Sequence, residues 1–180
     1  MAAPATAFFV NSKPKNFKLP LLNLLRDSAS LLIGLDLQGN KLYGPIPSLI
    51  RTWVPYVTVL ILSDNLLSGR LPVGIANCSF LNVLLLSNNR FSGTIPYELP
   101  SAGRLNEFSV ANNNLEGVIP PNLTRFDKAD FAGNQGLCGK PMGKCRVSNR
   151  KKIAIVLAAG VSGAVGSILL SLALWRMRVI

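Results

Sequence analysis

Residues 81–96 read LNVLLLSNNRFSGTIP, and this stretch contains the pattern from which the fold can be predicted. The same pattern, Leu-x-x-Leu-x-Leu-x-x-Asn-x-Leu-x-Gly-x-Ile-Pro, occurs four times between Leu32 and Pro120. Its asparagines are spaced 25, 24 and 24 residues apart, and they are Asn40, Asn65, Asn89 and Asn113. A fixed period of this length predicts a solenoid in which each repeat packs only on its neighbours.

Apolar residues at fixed offsets from each asparagine predict the core. The apolar residues at three and at five positions before the asparagine alternate along a short strand and point inward. A further apolar residue stands eight positions before the asparagine. These residues are Leu32, Leu35, Leu37, Val57, Leu60, Leu62, Leu81, Leu84, Leu86, Leu105, Phe108 and Val110. After the asparagine, the core continues at Leu42, Leu67, Phe91 and Leu115. The prediction is an α/β-type leucine-rich-repeat solenoid of short parallel strands with irregular or 3₁₀ return segments.

The asparagine, glycine and proline of the pattern have predicted structural roles. An asparagine amide can both donate and accept, so a stacked ladder of these side chains can satisfy backbone groups that the tight curve leaves unpaired. The glycines allow a turn that a Cβ would hinder, and the prolines keep the return segment from forming a regular helix. These columns are Gly44, Gly69, Gly93, Gly117, Pro47, Pro72, Pro96 and Pro120.

The strand positions that point outward are the candidates for partner binding. We call the surface that they form the strand face, which in a curved solenoid is concave. Its two middle repeats place four apolar residues side by side, with polar residues at either end, and this arrangement is typical of a protein-binding patch. The predicted patch comprises Val59, Ile61, Val83, Leu85, Asp36, Glu107 and Ser109. The alternative is that apolar and β-branched residues merely favour strands and need no partner.

Charge and composition exclude several classes of function. The chain has a net charge of +11, yet residues 32–137 contain seven basic and seven acidic residues, so the excess charge lies at the two ends. A nucleic-acid-binding groove along the repeats is therefore not predicted. The sequence has no histidine, which removes the usual general base and the commonest zinc ligand. No nucleophile and base pair, phosphate loop or metal cluster appears, so we predict neither an enzyme nor a bound cofactor or metal.

Two sequons and a cysteine pair indicate an oxidising, extracellular setting. Asn77 and Asn122 begin Asn-x-Ser/Thr sequons on return segments, where glycans would leave the strand face open. Cys138 and Cys145 stand where the solenoid must be closed, which predicts a capping disulfide. Cys78 is left over and is expected to be a buried thiol.

The ends of the repeat domain, which we assign to residues 32–137, are less regular. Residues 1–18 contain no convincing secretory signal, and we predict a disordered or mis-assigned segment; a transit peptide is the alternative. Residues 19–31 resemble half a repeat that could cover the open apolar end of the first full repeat. Phe126, Phe131 and Asn134 repeat core positions at reduced length, and residues 138–152 form a predicted C-terminal cap and basic juxtamembrane segment.

Residues 153–175 are 23 residues without a charge, followed by a short tail at 176–180. At about 1.5 Å per residue this length crosses a hydrocarbon core of about 30 Å, so one transmembrane α-helix is predicted. Small residues four positions apart form a seam along which a second helix could approach and dimerise. The seam consists of Ala159, Gly163, Ser167 and Ser171.

The repeats, the run FSVANN at residues 108–113 and the closing GNQGLCG at residues 133–139 resemble plant leucine-rich-repeat receptor-like kinases, in particular BIR-type inactive kinases. The resemblance implies that the strand face contacts the ectodomain of a SERK-type co-receptor. The family's cysteine-paired N-terminal cap, signal peptide and kinase-like domain have no counterpart in these 180 residues, which suggests a truncated product.

Charge and resemblance give opposite membrane orientations. Four basic residues precede the span and two follow it, so the positive-inside rule would place the repeats in the cytoplasm. The resemblance places the repeats outside, and the sequons and the cysteine pair make sense only there. We therefore expect a single-pass plasma-membrane protein with extracellular repeats.

The prediction of function is a membrane-anchored module without catalysis that binds another receptor or co-receptor ectodomain and acts as a competitor or scaffold. One alternative is a repeat protein that inhibits an extracellular enzyme such as a polygalacturonase, although that class is usually secreted. The other is a non-functional fragment of a receptor-like kinase.

Overall fold

In the computed structural model, which describes residues 8–11, 18, 20, 32–99 and 105–145, ten short strands form two sheets. They are β1 (Phe8–Asn11), β2 (Leu32–Asp36), β3 (Tyr43–Gly44), β4 (Val59–Ile61), β5 (Leu66–Arg70), β6 (Val83–Leu85), β7 (Arg90–Gly93), β8 (Glu107–Ser109), β9 (Asn114–Val118) and β10 (Gly136–Cys138). The first sheet has the order β1-β2-β4-β6-β8, and the second has the order β10-β9-β7-β5-β3. All pairings are parallel, which confirms the predicted solenoid of short parallel strands.

The strands of the first sheet pair in the register that the repeat pattern predicts. Leu60 pairs with Leu35 on one side and with Leu84 on the other, and Leu84 pairs with Phe108. All sixteen residues of the predicted core columns are buried. Because equivalent positions are in register, residues at the outward positions also form continuous columns on the strand face.

The second sheet is a feature that the repeat pattern did not predict. Strands β3, β5, β7, β9 and β10 follow the asparagine of successive repeats and pair with one another. This stretch contains glycine and serine and lacks a simple alternation of apolar and polar residues, so it does not resemble a strand when one repeat is read alone. Its hydrogen bonds are made between repeats.

In the described residues, the return segments contain α1 (Ile50–Trp53) and short 3₁₀ helices at Val73–Ile75, Pro121–Leu123 and Lys128–Phe131. In four repeats, the carbonyl of the pattern proline accepts a hydrogen bond from the buried residue three positions later. The donors are Ile50, Ile75, Leu99 and Leu123, at 3.1, 3.1, 3.1 and 2.9 Å. Each proline therefore begins a single turn that places one apolar side chain in the core.

The asparagine column forms a hydrogen-bond ladder along the turn between the two sheets. Asn89 donates to the carbonyls of Leu62, Leu86 and Ser87 at 2.9, 3.2 and 3.2 Å, and its Oδ1 accepts from the N–H of Leu67 at 3.0 Å. Asn134 continues the ladder in the last, shorter repeat, where it accepts from the N–H of Leu115 at 3.0 Å. Each of these amides joins its own repeat to the preceding one.

Glycine is required after the turn for two reasons, which Gly93 illustrates. Its φ of +76° lies in the region that residues with a Cβ rarely adopt. In addition, a Cβ there would lie 3.1 Å from Cγ of Arg70, because the arginine side chain of the preceding repeat crosses directly over the glycine.

The N-terminal end of the first sheet is covered by an additional strand. Within the predicted disordered or mis-assigned segment of residues 1–18, Phe8–Asn11 form β1 and pair in parallel with β2. An uncovered β2 would leave a row of unpaired backbone groups, and strand addition satisfies them. Pro20, in the predicted half-repeat, forms an isolated bridge with Tyr43 of the second sheet.

At the C-terminal end, a disulfide joins Cys138 and Cys145, whose Cα atoms lie 4.8 Å apart. The N–H of Gly139 also donates to the carbonyl of Gly143 at 2.8 Å. No helix in the part of the chain that the structure describes is long and apolar enough to cross a membrane. The predicted span, residues 153–175, and its small-residue seam lie outside the described residues.

Candidate partner-binding surface

The four apolar residues of the predicted patch lie on neighbouring strands in matching register. Val59 pairs with Val83, and Ile61 pairs with Leu85, so the four side chains form a two-by-two block on the strand face. All four are half-buried. Neighbouring strands are about 4.8 Å apart, so the block is a continuous apolar surface.

Polar residues flank this block on both sides along the sheet. Asp36 pairs with Ile61 on the N-terminal side, and Glu107 and Ser109 pair with Val83 and Leu85 on the C-terminal side. Glu107 is exposed, whereas Asp36 and Ser109 are half-buried. The structure therefore brings all seven predicted patch residues onto one surface with an apolar centre and a polar rim.

Two of the polar positions are held by hydrogen bonds. The hydroxyls of Ser109 and Ser87 lie 2.7 Å apart, and a carboxylate oxygen of Asp36 accepts from the N–H of Gln38 at 3.1 Å. These contacts hold the rim side chains in place in the free protein. Binding a partner therefore costs less side-chain conformational entropy.

A second, exposed ladder runs beside the strand face and was not predicted from the sequence. Asn112 donates to Asn88 at 2.7 Å, and Asn88 donates to Asp64 at 2.7 Å. Asp64 also accepts from the side chain of Gln38 at 2.8 Å. Asp64, Asn88 and Asn112 have φ values of 58°, 56° and 54°, a conformation that Asn and Asp tolerate better than most residues. In the sequence, these three residues directly precede the ladder asparagines Asn65, Asn89 and Asn113, and this recurrence could have identified the row.

A cavity of about 350 Å³ adjoins the patch at its C-terminal side. Leu85 and Glu107 of the patch line it, together with Phe108, Phe126 and three charged residues that the sequence had not singled out: Arg125, Asp127 and Asp130. Asp130 was missed because it belongs to the short last repeat, where it precedes Asn134 by four positions, the offset at which Asp36 precedes Asn40.

The predicted sequon asparagines, Asn77 and Asn122, are both exposed on return segments. Cys78, between Asn77 and Ser79, is buried with 1% of its surface exposed, and burial raises the pKa of its thiol, an effect that the charge of Arg51 partly opposes. Among the residues that the structure describes, no group of three acidic, histidine or cysteine side chains could hold a metal ion.

The comparisons with known proteins agree with this architecture. The leucine-rich repeat family model matches residues 56–78, 80–102 and 104–126. The chain is 55% identical over 144 residues to a probable inactive receptor kinase of Arabidopsis thaliana, covering 80% of this chain and 24% of the relative. It thus spans about a quarter of the length of the curated relatives that it matches.

Two solved structures from the same plant are similar along most of the described residues. The BIR2 ectodomain superposes with a TM-score of 0.67 at 43% identity, covering 71% of this chain and 67% of that chain. A chain in the crystal structure of the BIR3–SERK2 complex superposes with a TM-score of 0.63 at 50% identity, covering 65% of this chain and 62% of that chain.

Proposed function

Because the chain belongs to the plant family of leucine-rich-repeat receptor kinases, we propose that its repeats bind the ectodomain of a SERK-type co-receptor through the strand face. The observation that carries this proposal is the apolar block of Val59, Ile61, Val83 and Leu85 within a polar rim. The similarity to a chain of the BIR3–SERK2 complex supports the choice of partner class.

The module acts at the plasma membrane with its repeats outside the cell and the 153–175 segment as its anchor. Two features support this setting: the Cys138–Cys145 disulfide, which persists in an oxidising compartment, and the exposed sequon asparagines. The module has no catalytic role of its own. It occupies the co-receptor ectodomain and thereby competes with, or scaffolds, other receptors.

The test is a binding measurement between the full chain and a SERK2 ectodomain by biolayer interferometry. Val59→Asp and Leu85→Asp place a charge in the apolar block, and each is expected to weaken binding about 10-fold or more. Val73→Asp is the matched control, because Val73 is exposed on a return segment away from the strand face, and its affinity should equal that of the wild type. Equal affinities for all four proteins would contradict the proposal.

Membrane orientation has a separate test. Sealed vesicles that carry the chain are treated with protease from outside or after permeabilisation. The proposed topology places the repeats in the vesicle lumen. They should therefore resist protease added outside intact vesicles and be digested after permeabilisation. Digestion of the repeats by protease added outside intact vesicles, which reaches only the cytosolic side, would overturn it.

A further inference from the structure

Three acidic residues lie on or beside the strand face. Asp36 and Glu107 are on strands of the first sheet, and Asp64 is in the exposed ladder beside it. In contrast, Arg70 and Arg90 are on strands β5 and β7 of the second sheet, and both are exposed. Although the repeat domain is neutral overall, the strand face therefore presents negative charge around its apolar block.

The negative charge is most concentrated at the cavity beside the patch. Glu107, Asp127 and Asp130 line it, together with Leu85 and the aromatic rings of Phe108 and Phe126. The two ring centroids lie 5.4 Å apart, and Phe108 is almost fully buried, so the aromatic wall is firmly supported. The cavity thus combines an apolar wall with three carboxylates.

The carboxylates are only partly satisfied within the protein. Among the described residues, none forms a hydrogen bond or ion pair with the side chain of Glu107. Asp130 accepts the N–H of Asp127 at 3.0 Å. Burial raises the pKa of Asp130, the Asp127 N–H opposes that shift, and the nearby charge of Asp127 adds to it. A cation in the cavity would relieve the repulsion between these groups.

Arg125, the one described cation of the lining, does not balance these charges. Its guanidinium lies 4.8 Å from the centroid of Phe126 and donates to the carbonyl oxygens of Leu105 and Asn122. Three carboxylates therefore face one guanidinium whose hydrogen bonds go to the backbone. The contact with Phe126 places this guanidinium over one face of the ring.

We propose that this cavity is the specificity pocket of the strand face and takes an arginine side chain of the protein partner, an inference that rests on the proposed function. The stem of the arginine packs on Leu85 and the exposed part of Phe126, and its guanidinium reaches Glu107 and Asp130. A purely apolar side chain would fill the same volume, but it would desolvate the carboxylates and give Glu107 no partner. Arginine suits the pocket better than lysine because its flat guanidinium stacks and donates in several directions.

The direct test uses N-acetylargininamide as the probe, with the full chain carrying methyl-labelled leucine and NMR as the readout. Saturable shifts are expected at the Leu85 methyl groups. N-acetylcitrullinamide, which has the same shape without the charge, should give at least 5-fold smaller shifts. Equal shifts from both probes, or shifts that do not include Leu85, would overturn the proposal.

One variant in the pocket and one control variant test whether a pocket carboxylate contributes to binding. Glu107→Gln removes one charge of the pocket and should weaken binding of N-acetylargininamide at least 3-fold. Glu116→Gln removes an exposed charge on β9 of the second sheet and should leave the affinity unchanged. If both variants behave alike, the binding reflects overall charge and the pocket proposal fails.

The pocket and the proposed function can fail separately. If the SERK2 ectodomain binds and Leu85→Asp weakens that binding, but N-acetylargininamide is not distinguished from N-acetylcitrullinamide, the pocket proposal alone is overturned. If the probes are distinguished at Leu85 but the SERK2 ectodomain does not bind, the pocket is supported and the choice of partner class is wrong.

Discussion

The side-chain amide of Asn65 donates to the carbonyl oxygen of Leu37, one repeat earlier, at 2.9 Å. It also donates to the carbonyl oxygens of Leu62 and Ser63, and its Oδ1 accepts from the N–H of Leu42. Asn65 is 6% exposed, so water has little access to these groups. One side chain therefore satisfies four backbone groups in two repeats.

We predict that Asn65→Leu lowers the free energy of unfolding by about 3 kcal/mol, because the buried backbone groups lose their partner while the volume is kept. Urea-induced unfolding followed by circular dichroism measures this loss. Asn88→Gly is the control: its amide is exposed, and glycine suits its φ of 56°, so we expect a change within about 0.5 kcal/mol. Equal losses in the two variants would contradict the role of the buried ladder.

Gly44 and Gly133 both have a positive φ but differ in the space around them. Alanine variants at these two positions therefore distinguish the cost of backbone strain from the cost of a steric clash. Gly44 has a φ of +88°, and a Cβ added there would have nothing within 4 Å. Gly133 has a φ of +74°, and its Cβ would meet Oδ1 of Asn112 and lie 2.9 Å from Asn112 Cα. Gly44→Ala should cost about 1 kcal/mol, the cost of the left-handed conformation. Gly133→Ala should cost at least about 2 kcal/mol more, because a backbone atom must move. Thermal unfolding of both variants checks the difference.

Loss of the C-terminal disulfide should loosen the last repeat first. The sequence separation between Cys138 and Cys145 is 7, so the chain-entropy model gives a loss of about 2.5 kcal/mol for the double substitution by serine. The N–H of Ile119, which donates to the carbonyl of Cys138, should exchange with solvent faster in hydrogen-exchange measurements. The N–H of Leu62, three repeats away, is the internal control, and equal acceleration at both sites would contradict a local role for the disulfide.

Cys78 gives a prediction for pH dependence. Because burial raises the pKa of its thiol on folding, the folded state holds this proton more tightly than the unfolded state. The resulting stability is fully present below the unfolded pKa of about 8.5 and is lost as the pH rises through the folded pKa. The stability of the wild type should therefore fall more steeply above pH 8.5 than that of Cys78→Ala. Alkylation of the native thiol by iodoacetamide should be about 100-fold slower than in urea.

The repeat pattern was sufficient to predict the core and the register because both depend on residues that recur at fixed offsets. Leu60, Leu84 and Phe108 are adjacent in the sheet for the same reason that they are equivalent in the sequence. The second sheet was not predictable in this way. Its strands, such as Leu66–Arg70, have no alternation of their own and form because neighbouring repeats bring their backbones together.

The candidate site was predicted in part. The outward positions of the four full repeats identified the apolar block and its rim, but the cavity depends on Phe126, Asp127 and Asp130, which follow the regular array. Their positions come from a last repeat of 21 residues, between Asn113 and Asn134, rather than 24. A pattern of fixed period could not show that these side chains would line a cavity together with Glu107.

The unequal repeat lengths have one more consequence. The ladder asparagines keep the same partners whether the preceding interval is 25, 24 or 21 residues, and the first interval contains α1 where the next contains a 3₁₀ turn. Length differences are thus absorbed in the return segments, behind the strand face. The protein is built so that insertions and deletions can accumulate at the back of each repeat while the spacing of its recognition residues stays constant.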